Sequence, residues 1–169
     1  MNKISNWVDC CLSKVPYDQG YVLDLACGKG RHSIFLSKLG YEVLSVDINE
    51  DSLNFFEGKL IKKKAVDVEN INNWPLDKKK FHIVIVTNFL NRTIFPLIIN
   101  SINKGGYLIY ETFSQGQEKI GKPTNAKYIL KPRELINLTT KMQLIDYENI
   151  YINNISNHSF KQRIFSKNV

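Results

Sequence analysis

The sequence predicts an α/β protein in which a doubly wound sheet of about seven strands is mostly parallel and ends with an antiparallel final strand. Three observations predict this fold. Short apolar runs alternate with helical patterns, a glycine turn joins the first strand to the next helix, and the last two apolar runs have no helix between them. Alternation of short strands with helices is typical of parallel sheets that are covered on both faces. The closing hairpin predicts an antiparallel edge strand.

The first half of the chain predicts three strands separated by helices. The apolar run Val22, Leu23 and Leu25 predicts the first strand, and the helical spacing of apolar residues after Arg31 ends at Gly40. The predicted elements, in order, are a leading helix at about 3–14, a strand at 21–25, a helix at 31–39, a strand at 42–46, a helix at 50–58 and a strand at 62–66.

The second half predicts four further strands. An apolar run from Phe81 to Val86 predicts a strand, Gly106 begins the next run, and Pro132 opens a helix. The predicted elements are a strand at 81–87, a helix at about 91–103, a strand at 106–112, a helix at 132–140 and closing strands at 143–151 and 160–166.

The segment 21–47 predicts a site for a nucleoside cofactor. Gly28 and Gly30 allow a sharp turn and close approach of the main chain to a ligand, and the helix that begins near Arg31 points unpaired N–H groups at that ligand. Asp47 closes the second strand, where an acidic side chain accepts hydrogen bonds from ribose hydroxyls. The cofactor is therefore predicted to contain adenosine. The alternatives are a tight turn without a ligand for the loop, and a surface turn for Asp47.

The spacing within the loop separates two classes of cofactor. A dinucleotide fingerprint has a third glycine where this chain has Ser33. The pattern of Asp24, Ala26, Gly28 and Gly30 instead resembles motif I of class I S-adenosyl-L-methionine-dependent methyltransferases, whose loop holds the methionine half of the cofactor. The resemblance implies S-adenosyl-L-methionine as the cofactor and these four residues as contacts. For Asp24 the alternative is bracing of the loop through backbone N–H groups.

The resemblance covers most of the chain and implies a Rossmann-like methyltransferase fold. It implies that Asp67 binds the adenine amino group, that Val68 lies near the adenine ring, and that Ile48 contacts the cofactor. Further segments resemble small, largely uncharacterised bacterial methyltransferases akin to tellurite-resistance methyltransferases; these are Trp74-Pro75-Leu76, 87–92, Glu111-Thr112-Phe113 and Gly121-Lys122-Pro123. That group often has His where this chain has Asn91, so the resemblance does not imply a general base at Asn91.

Methyl transfer from a sulfonium requires mainly that the activated methyl group be aligned with its acceptor. The candidate catalytic residues follow strands four and five. Asn88 is predicted to orient the acceptor or the cofactor, Arg92 to clamp an anionic acceptor, and Glu111 to act as a base. Each has a structural alternative. Asn88 would cap the following helix, Arg92 would pair with a local carboxylate, and Glu111 would bind backbone amides of the next segment.

Residues 113–130 predict a mobile lid over the acceptor. The segment is longer than the usual connection between a strand and a helix, and long loops in compact domains are commonly functional or disordered. Gly116 and Gly121 supply hinges, while Phe113 and Tyr128 would exclude water. The alternative is a disordered insertion.

Length and cysteine content predict one domain spanning residues 1–169 in a reducing, cytoplasmic setting. The three cysteines Cys10, Cys11 and Cys27 lack paired ligand spacing, so neither disulfides nor a metal site is expected. Cys27 is interpreted as a small side chain that fits the loop. Neither a signal peptide nor an apolar stretch of the roughly 20 residues that cross a bilayer is expected.

The formal net charge of +7 raises the question of nucleic-acid binding. Two lysine triplets, at 62–64 and 78–80, precede apolar runs, which predicts them at the starting ends of strands and away from the site. We expect a small-molecule acceptor, because the sequence predicts a single domain without an appended substrate-recognition domain. An RNA methyltransferase and a non-catalytic regulatory protein that binds the cofactor are the alternatives. The oligomeric state is left open.

Overall fold

The computed structural model describes residues 3–16, 20–71, 74, 80–154 and 157–169. Pro75, Leu76, Lys78 and Lys79, which the sequence analysis singled out, lie outside the described residues. The helices are α1 Asn6–Leu12, α2 Arg31–Lys38, α3 Glu50–Asn54, α4 Phe95–Asn100 and α5 Glu134–Leu138. The strands are β1 Tyr21–Leu25, β2 Glu42–Asp47, β3 Ile61–Ala65, β4 Phe81–Thr87, β5 Ile102–Phe113, β6 Gln143–Asn154 and β7 Asn157–Lys167.

The seven strands form one sheet in the order β3-β2-β1-β4-β5-β7-β6. The first five in this order are parallel, and β7 pairs antiparallel with both β5 and β6. The predicted mostly parallel sheet with an antiparallel final strand is confirmed. The expectation that this strand forms the edge is wrong, because β7 inserts between β5 and β6 and leaves β6 at the edge.

Two apolar clusters cover the two faces of the sheet. Along β1, Val22 faces a cluster that includes Trp7 of α1 and Leu36 of α2, whereas Leu23 faces a cluster that includes Phe95 of α4 and Leu135 of α5. Successive strand residues point to opposite faces, which explains why one strand supplies both clusters. Full burial of each large apolar side chain contributes about 1.5–3 kcal/mol.

Several element boundaries differ from the prediction. The helix predicted at about 91–103 is α4, which is shorter and begins at Phe95 with Pro96 in its first turn. Asn91 lies before it, where its side chain accepts a hydrogen bond from the N–H of Thr93 at 2.9 Å and forms a turn. The strand predicted at 106–112 is longer at both ends, as β5.

Lys62–Lys64 lie within β3 and not at its starting end, which corrects the prediction for this triplet. The strand is at the edge of the sheet, and its row of lysines is exposed. Charged side chains on an edge strand hinder pairing with a strand of another chain. Lys63 has a local role, since its Nζ donates to the carbonyls of Leu53 and Phe56 at 3.0 Å each.

In the part of the chain that the structure describes, none of the helices has the length and apolarity needed to traverse a lipid bilayer.

Candidate active site

The carboxyl ends of β1, β2, β3 and β4 meet at one edge of the sheet, as their parallel pairing requires. The loop after β1 turns through residues with positive φ, namely Ala26 at 54°, Gly28 at 54° and Gly30 at 67°. The N–H of Cys27 donates to the carbonyl of Val46 at 3.0 Å, which ties the loop to the neighbouring strand β2. The predicted glycine turn is therefore present between β1 and α2.

The two loop glycines have different surroundings. A Cβ on Gly28 would meet no atom of the described residues within 4 Å, so the main chain here borders open space. A Cβ on Gly30 would lie 2.5 Å from the ring of Phe56. The absence of a side chain at Gly28 therefore allows a ligand in the cleft to approach the main chain. At Gly30 it allows the loop to pack closely on Phe56. Gly30 does not line the cleft described below, which does not support its predicted contact with the cofactor.

Asp24 braces the start of α2. Its side chain is buried and accepts hydrogen bonds from the N–H of Ser33 at 3.0 Å and from the Ser33 hydroxyl at 2.6 Å. The hydroxyl of Ser45 donates to Ser33 Oγ at 2.7 Å, so the serine at the third glycine position completes a buried polar chain. Burial raises the pKa of Asp24 to about 6. This geometry favours the bracing alternative, although the bracing acts on the helix and not on the loop.

A first cleft of about 580 Å³ opens above these strand ends. Seven of the nine residues predicted to contact the cofactor line it, namely Ala26, Gly28, Asp47, Ile48, Asp67, Val68 and Asn88. Asp24 and Gly30 do not, for the reasons given above. Residues from four strand ends thus border one cavity.

Two carboxylates organise the backbone of the first cleft. Asp47 accepts the N–H of Gly28 at 2.7 Å through one oxygen and the N–H of Asn49 at 2.9 Å through the other. Asp67 accepts the N–H of Glu69 at 2.9 Å. A carboxylate oxygen has more than one lone pair, so each side chain keeps capacity to accept a ligand hydroxyl or amino group. Ile48 is 68% exposed beside Asp47 and offers the cleft an apolar surface.

A second cleft of about 640 Å³ adjoins the first, and Arg31 and Asn88 line both. Its walls come from the segment before α1 and from β5, β6 and β7, including Ser5, Glu111, Tyr151, Lys161 and Arg163. The two clefts therefore meet at Asn88 and Arg31.

Asn88 does not cap the following helix, because α4 begins seven residues later with a cap residue, Ile94, that makes no side-chain cap bond. Asn88 has a positive φ of 57°, and its N–H donates to the carbonyl of Glu111 at 2.8 Å. Its side-chain oxygen accepts a hydrogen bond from Lys161 Nζ. The capping alternative is wrong, and an orienting role for Asn88 stays a prediction.

Glu111 is buried in the wall of the second cleft. One oxygen accepts the hydroxyl of Ser5 at 3.0 Å, and the other lies 2.6 Å from Nε of Arg163. The alternative that Glu111 binds backbone amides of the next segment is not supported, because the carboxylate is engaged by these two side chains. Its role as a base stays a prediction.

Arg92 is held by the segment that follows β5. Its Nε lies 2.5 Å from Glu134 Oε1, and its two terminal nitrogens donate to the carbonyls of Lys127 at 2.7 Å and Ile129 at 2.9 Å. Arg92 does not line either cleft. The geometry favours the local-carboxylate alternative over the predicted acceptor clamp.

The segment 113–130 is folded against the sheet. Ser114 forms a β-bridge with Leu130, and Gln117, which is 3% exposed, accepts the N–H of Phe160 at 2.9 Å. Two short 3-10 turns, Gln117–Lys119 and Ala126–Tyr128, lie between these attachments. The disordered-insertion alternative is therefore wrong. Movement of the segment as a lid stays a prediction.

Lys161 and Arg163 are site residues that the sequence analysis missed. Both project from β7 into the second cleft, and Lys161 is 5% exposed with Nζ 3.9 Å from the centroid of the Phe113 ring. The available signal was their alternation in the closing strand, which places both on one face. That signal does not identify the cleft, because Asn88 and Lys161 are 73 residues apart in the sequence.

Two other polar side chains near the site have structural surroundings. His32 is 1% exposed and accepts the N–H of Ser5 at 3.3 Å, and burial lowers its pKa to about 3. Burial raises the pKa of Cys27 above the ordinary thiol range. A protonated thiol is a weak nucleophile, which agrees with the interpretation of Cys27 as a small side chain that fits the loop.

The strand order, the reversed final strand and the cleft above the first four strands define the class I methyltransferase fold. The chain belongs to the family of the tellurite resistance protein TehB, whose family model matches residues 12–157. The resemblance found in the sequence is thereby confirmed.

Individual relatives agree with this assignment. The chain is 40% identical over 95 residues to a probable S-adenosyl-L-methionine-dependent methyltransferase TehB of Haemophilus influenzae, a match that covers 51% of this chain and 33% of that protein. The chain thus spans about a third of the length of the curated relatives it matches.

Solved structures share the fold. The crystal structure of TehB from Haemophilus influenzae has a TM-score of 0.74 at 21% identity, covering 97% of this chain and 62% of that one. Coclaurine N-methyltransferase, solved with N-methylheliamine and SAH, has a TM-score of 0.70 at 10% identity, covering 95% of this chain and 71% of that one.

Proposed function

We propose that this protein binds S-adenosyl-L-methionine in the first cleft and transfers its methyl group to a small-molecule acceptor in the second. The observation that carries the proposal is the pairing of Gly28 with Asp47. The Gly28 N–H is fixed on the Asp47 carboxylate at 2.7 Å, while the space above Gly28 is open. A main chain held in this way admits a ligand where a side chain would block it.

The residues of the first cleft suit the parts of this cofactor. Asp47 would accept hydrogen bonds from the ribose hydroxyls, Asp67 would accept one from the adenine amino group, and Ile48 and Val68 would contact the flat base. The cofactor supplies an activated methyl group when bound. The chain's contribution is to bind, orient and exclude water, and the names of the relatives support this assignment.

A small-molecule acceptor is supported by the shape of the second cleft. Its walls come from four parts of the chain and include the buried side chains Glu111 and Lys161. A concave site with a few fixed polar groups is typical of small-ligand binding. The exposed lysines of β3 lie two strands away from β1, at the edge of the sheet farthest from β7.

The experiment is a transfer assay with methyl-labelled S-adenosyl-L-methionine and two cell-extract fractions, one of metabolites and one of RNA. Label in the metabolite fraction supports the proposal, and label in RNA supports an RNA methyltransferase. Calorimetry with the cofactor, its demethylated product SAH and NAD is run beside it. Binding without transfer in either fraction would indicate a regulatory protein, and binding of NAD alone would contradict the cofactor assignment.

A further inference from the structure

Lys161 is a buried lysine at the junction of the two clefts. Its Nζ donates to the side-chain oxygen of Asn88, which lines both clefts, and lies 3.9 Å from the centroid of the Phe113 ring. Lys161 itself lines the second cleft and is 5% exposed. A lysine is rarely buried to this extent without a carboxylate at hydrogen-bond distance. Among the described residues, its hydrogen-bond partner is instead a neutral amide oxygen, that of Asn88.

The charged groups around Lys161 come from three elements. Burial is the main influence and lowers the pKa of Lys161 to about 8. Arg163 on β7 and Arg31 at the start of α2 act in the same direction, while Glu111 on β5 opposes them. Glu111 is already paired with Arg163 at 2.6 Å. The side chain is therefore poised to exchange a proton near neutral pH.

We propose that Lys161 is the proton acceptor for an acceptor substrate whose nucleophile carries a proton, such as an amine, a thiol or a hydroxyl. Lys161 loses its proton when the cationic cofactor binds next to it, and the neutral amino group of Lys161 then faces the second cleft. This inference rests on the proposed function.

The proposed step balances in atoms and charge. The acceptor's heteroatom forms a bond to the methyl carbon, the bond from that carbon to the sulfonium sulfur breaks with its electron pair left on sulfur, and the acceptor's proton passes to Lys161 Nζ. One positive charge disappears at sulfur and one appears on the ammonium group. The buried site therefore keeps its net charge, which avoids the cost of creating an unpaired charge away from water.

The test compares the binding of S-adenosyl-L-methionine with that of SAH, and it needs no acceptor. The two ligands differ by one methyl group and one positive charge, while both carry the same ammonium and carboxylate groups. Titration calorimetry near pH 8, in two buffers of different ionisation enthalpy, gives the protons released on binding. Affinities are also measured from about pH 7 to about pH 9, across the range in which Lys161 changes charge.

Three variants show whether the proton release and the pH dependence of binding come from Lys161 or from another group. Lys161→Met removes the titrating group at similar length, and Lys161→Arg keeps a permanent charge. Lys167→Met is the matched control, because Lys167 lies on the same strand over the ring of Tyr107, at the opposite end of β7 from the clefts. The ligands' own ionisations are the same for every variant and cancel in the comparison. Thermal unfolding and SAH binding establish that each variant is folded.

The wild-type protein and Lys167→Met are expected to release more protons with S-adenosyl-L-methionine than Lys161→Met does, with no such difference for SAH. The affinity for S-adenosyl-L-methionine relative to SAH should rise about fivefold from about pH 7 to about pH 9 in the wild type, beyond any rise in Lys161→Met, if the bound cofactor lowers the pKa of Lys161 by about one unit. At about pH 9, the affinity for S-adenosyl-L-methionine relative to SAH should be lower in Lys161→Arg than in the wild type, because arginine keeps its positive charge beside the cationic cofactor.

Equal proton release and equal pH dependence in the wild type, Lys161→Met and Lys161→Arg would overturn the role of Lys161 while leaving the proposed function standing. Failure of the wild type to bind either ligand would overturn the proposed function itself, and the inference with it.

Discussion

At the scale of single residues, the two glycines of the β1–α2 loop make separable predictions. Gly28→Val should leave the fold intact apart from the strain of a positive φ, because its side chain would extend into open space. The same side chain would occupy the first cleft, so binding of S-adenosyl-L-methionine should be lost. Calorimetry measures the binding, and thermal unfolding measures the stability.

Gly30→Ala is the contrasting variant. Its methyl group would lie 2.5 Å from the Phe56 ring, so we expect a larger loss of stability than in Gly28→Ala, which has a similar φ. The loss should be about 1–3 kcal/mol, the range for overpacking. Full cofactor binding by Gly28→Val, or equal stability of the two alanine variants, would contradict the different roles assigned to these glycines.

The position of Asp47 in the first cleft predicts a contribution to the affinity for S-adenosyl-L-methionine. Asp47→Ala should weaken binding of S-adenosyl-L-methionine by about 1.5–3 kcal/mol, the range for a hydrogen bond to a charged group. The Gly28 N–H would also lose its partner at 2.7 Å. Asp51→Ala is the matched control, since Asp51 is an exposed acidic residue in the first turn of α3. Calorimetry showing equal affinities for both variants would contradict the role of Asp47.

The burial of His32 predicts how the free energy of unfolding depends on pH. Burial lowers its pKa to about 3 in the folded protein, below the ordinary value of about 6.5. The folded state therefore binds fewer protons than the unfolded chain between these values, and the free energy of unfolding falls as the pH drops through that window. Asp24 acts in the opposite direction, because its pKa is raised to about 6.

The test is urea unfolding of the wild type and His32→Gln at about pH 6.5 and about pH 4. Glutamine keeps an acceptor for the Ser5 N–H but does not titrate. The wild type should lose about 3 kcal/mol more than the variant between these two conditions. Equal losses in the two proteins would show that His32 is not the group responsible.

At the scale of elements, Arg92 connects the segment 113–130 to α5. Arg92→Lys loses the paired hydrogen bonds to Glu134 and at least one bond to the carbonyls of Lys127 and Ile129. Hydrogen exchange across 126–130 should therefore become about tenfold faster, as expected when about 1.5 kcal/mol of local stability is lost. Mass spectrometry of exchanged peptides measures the change.

The matched control for Arg92 is Lys127→Gln, which removes a charge from the same segment but leaves the backbone carbonyl that Arg92 binds. Exchange in this control and binding of SAH by Arg92→Lys should both stay at the wild-type level. Unchanged exchange in Arg92→Lys would contradict the fastening role and return Arg92 to the set of candidate acceptor contacts.

Element by element, the strands were predictable where their apolar runs are continuous and less so elsewhere. The apolar patterns of β1 and β4 predicted the bounds of both strands, because both strands are buried on two faces. The strand predicted at 62–66 is confirmed by β3, but an exposed edge strand carries no apolar pattern, so the sequence does not show that the lysines form the body of that strand. The insertion of β7 beside β5 was also not predictable, because a hairpin pattern does not specify which of its strands pairs with the sheet.

At the scale of the whole molecule, the candidate site has one half that is local in sequence and one half that is not. The loop from Ala26 to Gly30 and the acidic residues Asp47 and Asp67 each follow a strand, so sequence order already places them at one edge. The second cleft depends on β7 and on the segment before α1, which reach it from opposite ends of the chain. Contacts such as Ser5 to Glu111, 106 residues apart, have no local signal.

The distribution of charge over the whole molecule gives a final prediction. Lys62 and Lys64 lie on the edge strand β3. The basic residues that line the second cleft come instead from the segment before α1, from α2 and from β7, namely Lys3, Arg31, Lys161 and Arg163. A protein that bound RNA through the exposed lysines would lose affinity as they were removed, and its affinity for RNA would fall as the salt concentration rises. We expect the double variant Lys62→Gln with Lys64→Gln to transfer label to the metabolite fraction at the wild-type rate. Lys63 is left in place because it binds Leu53 and Phe56. Label recovered in RNA, with a loss of more than about tenfold in the double variant that low salt relieves, would contradict a small-molecule acceptor.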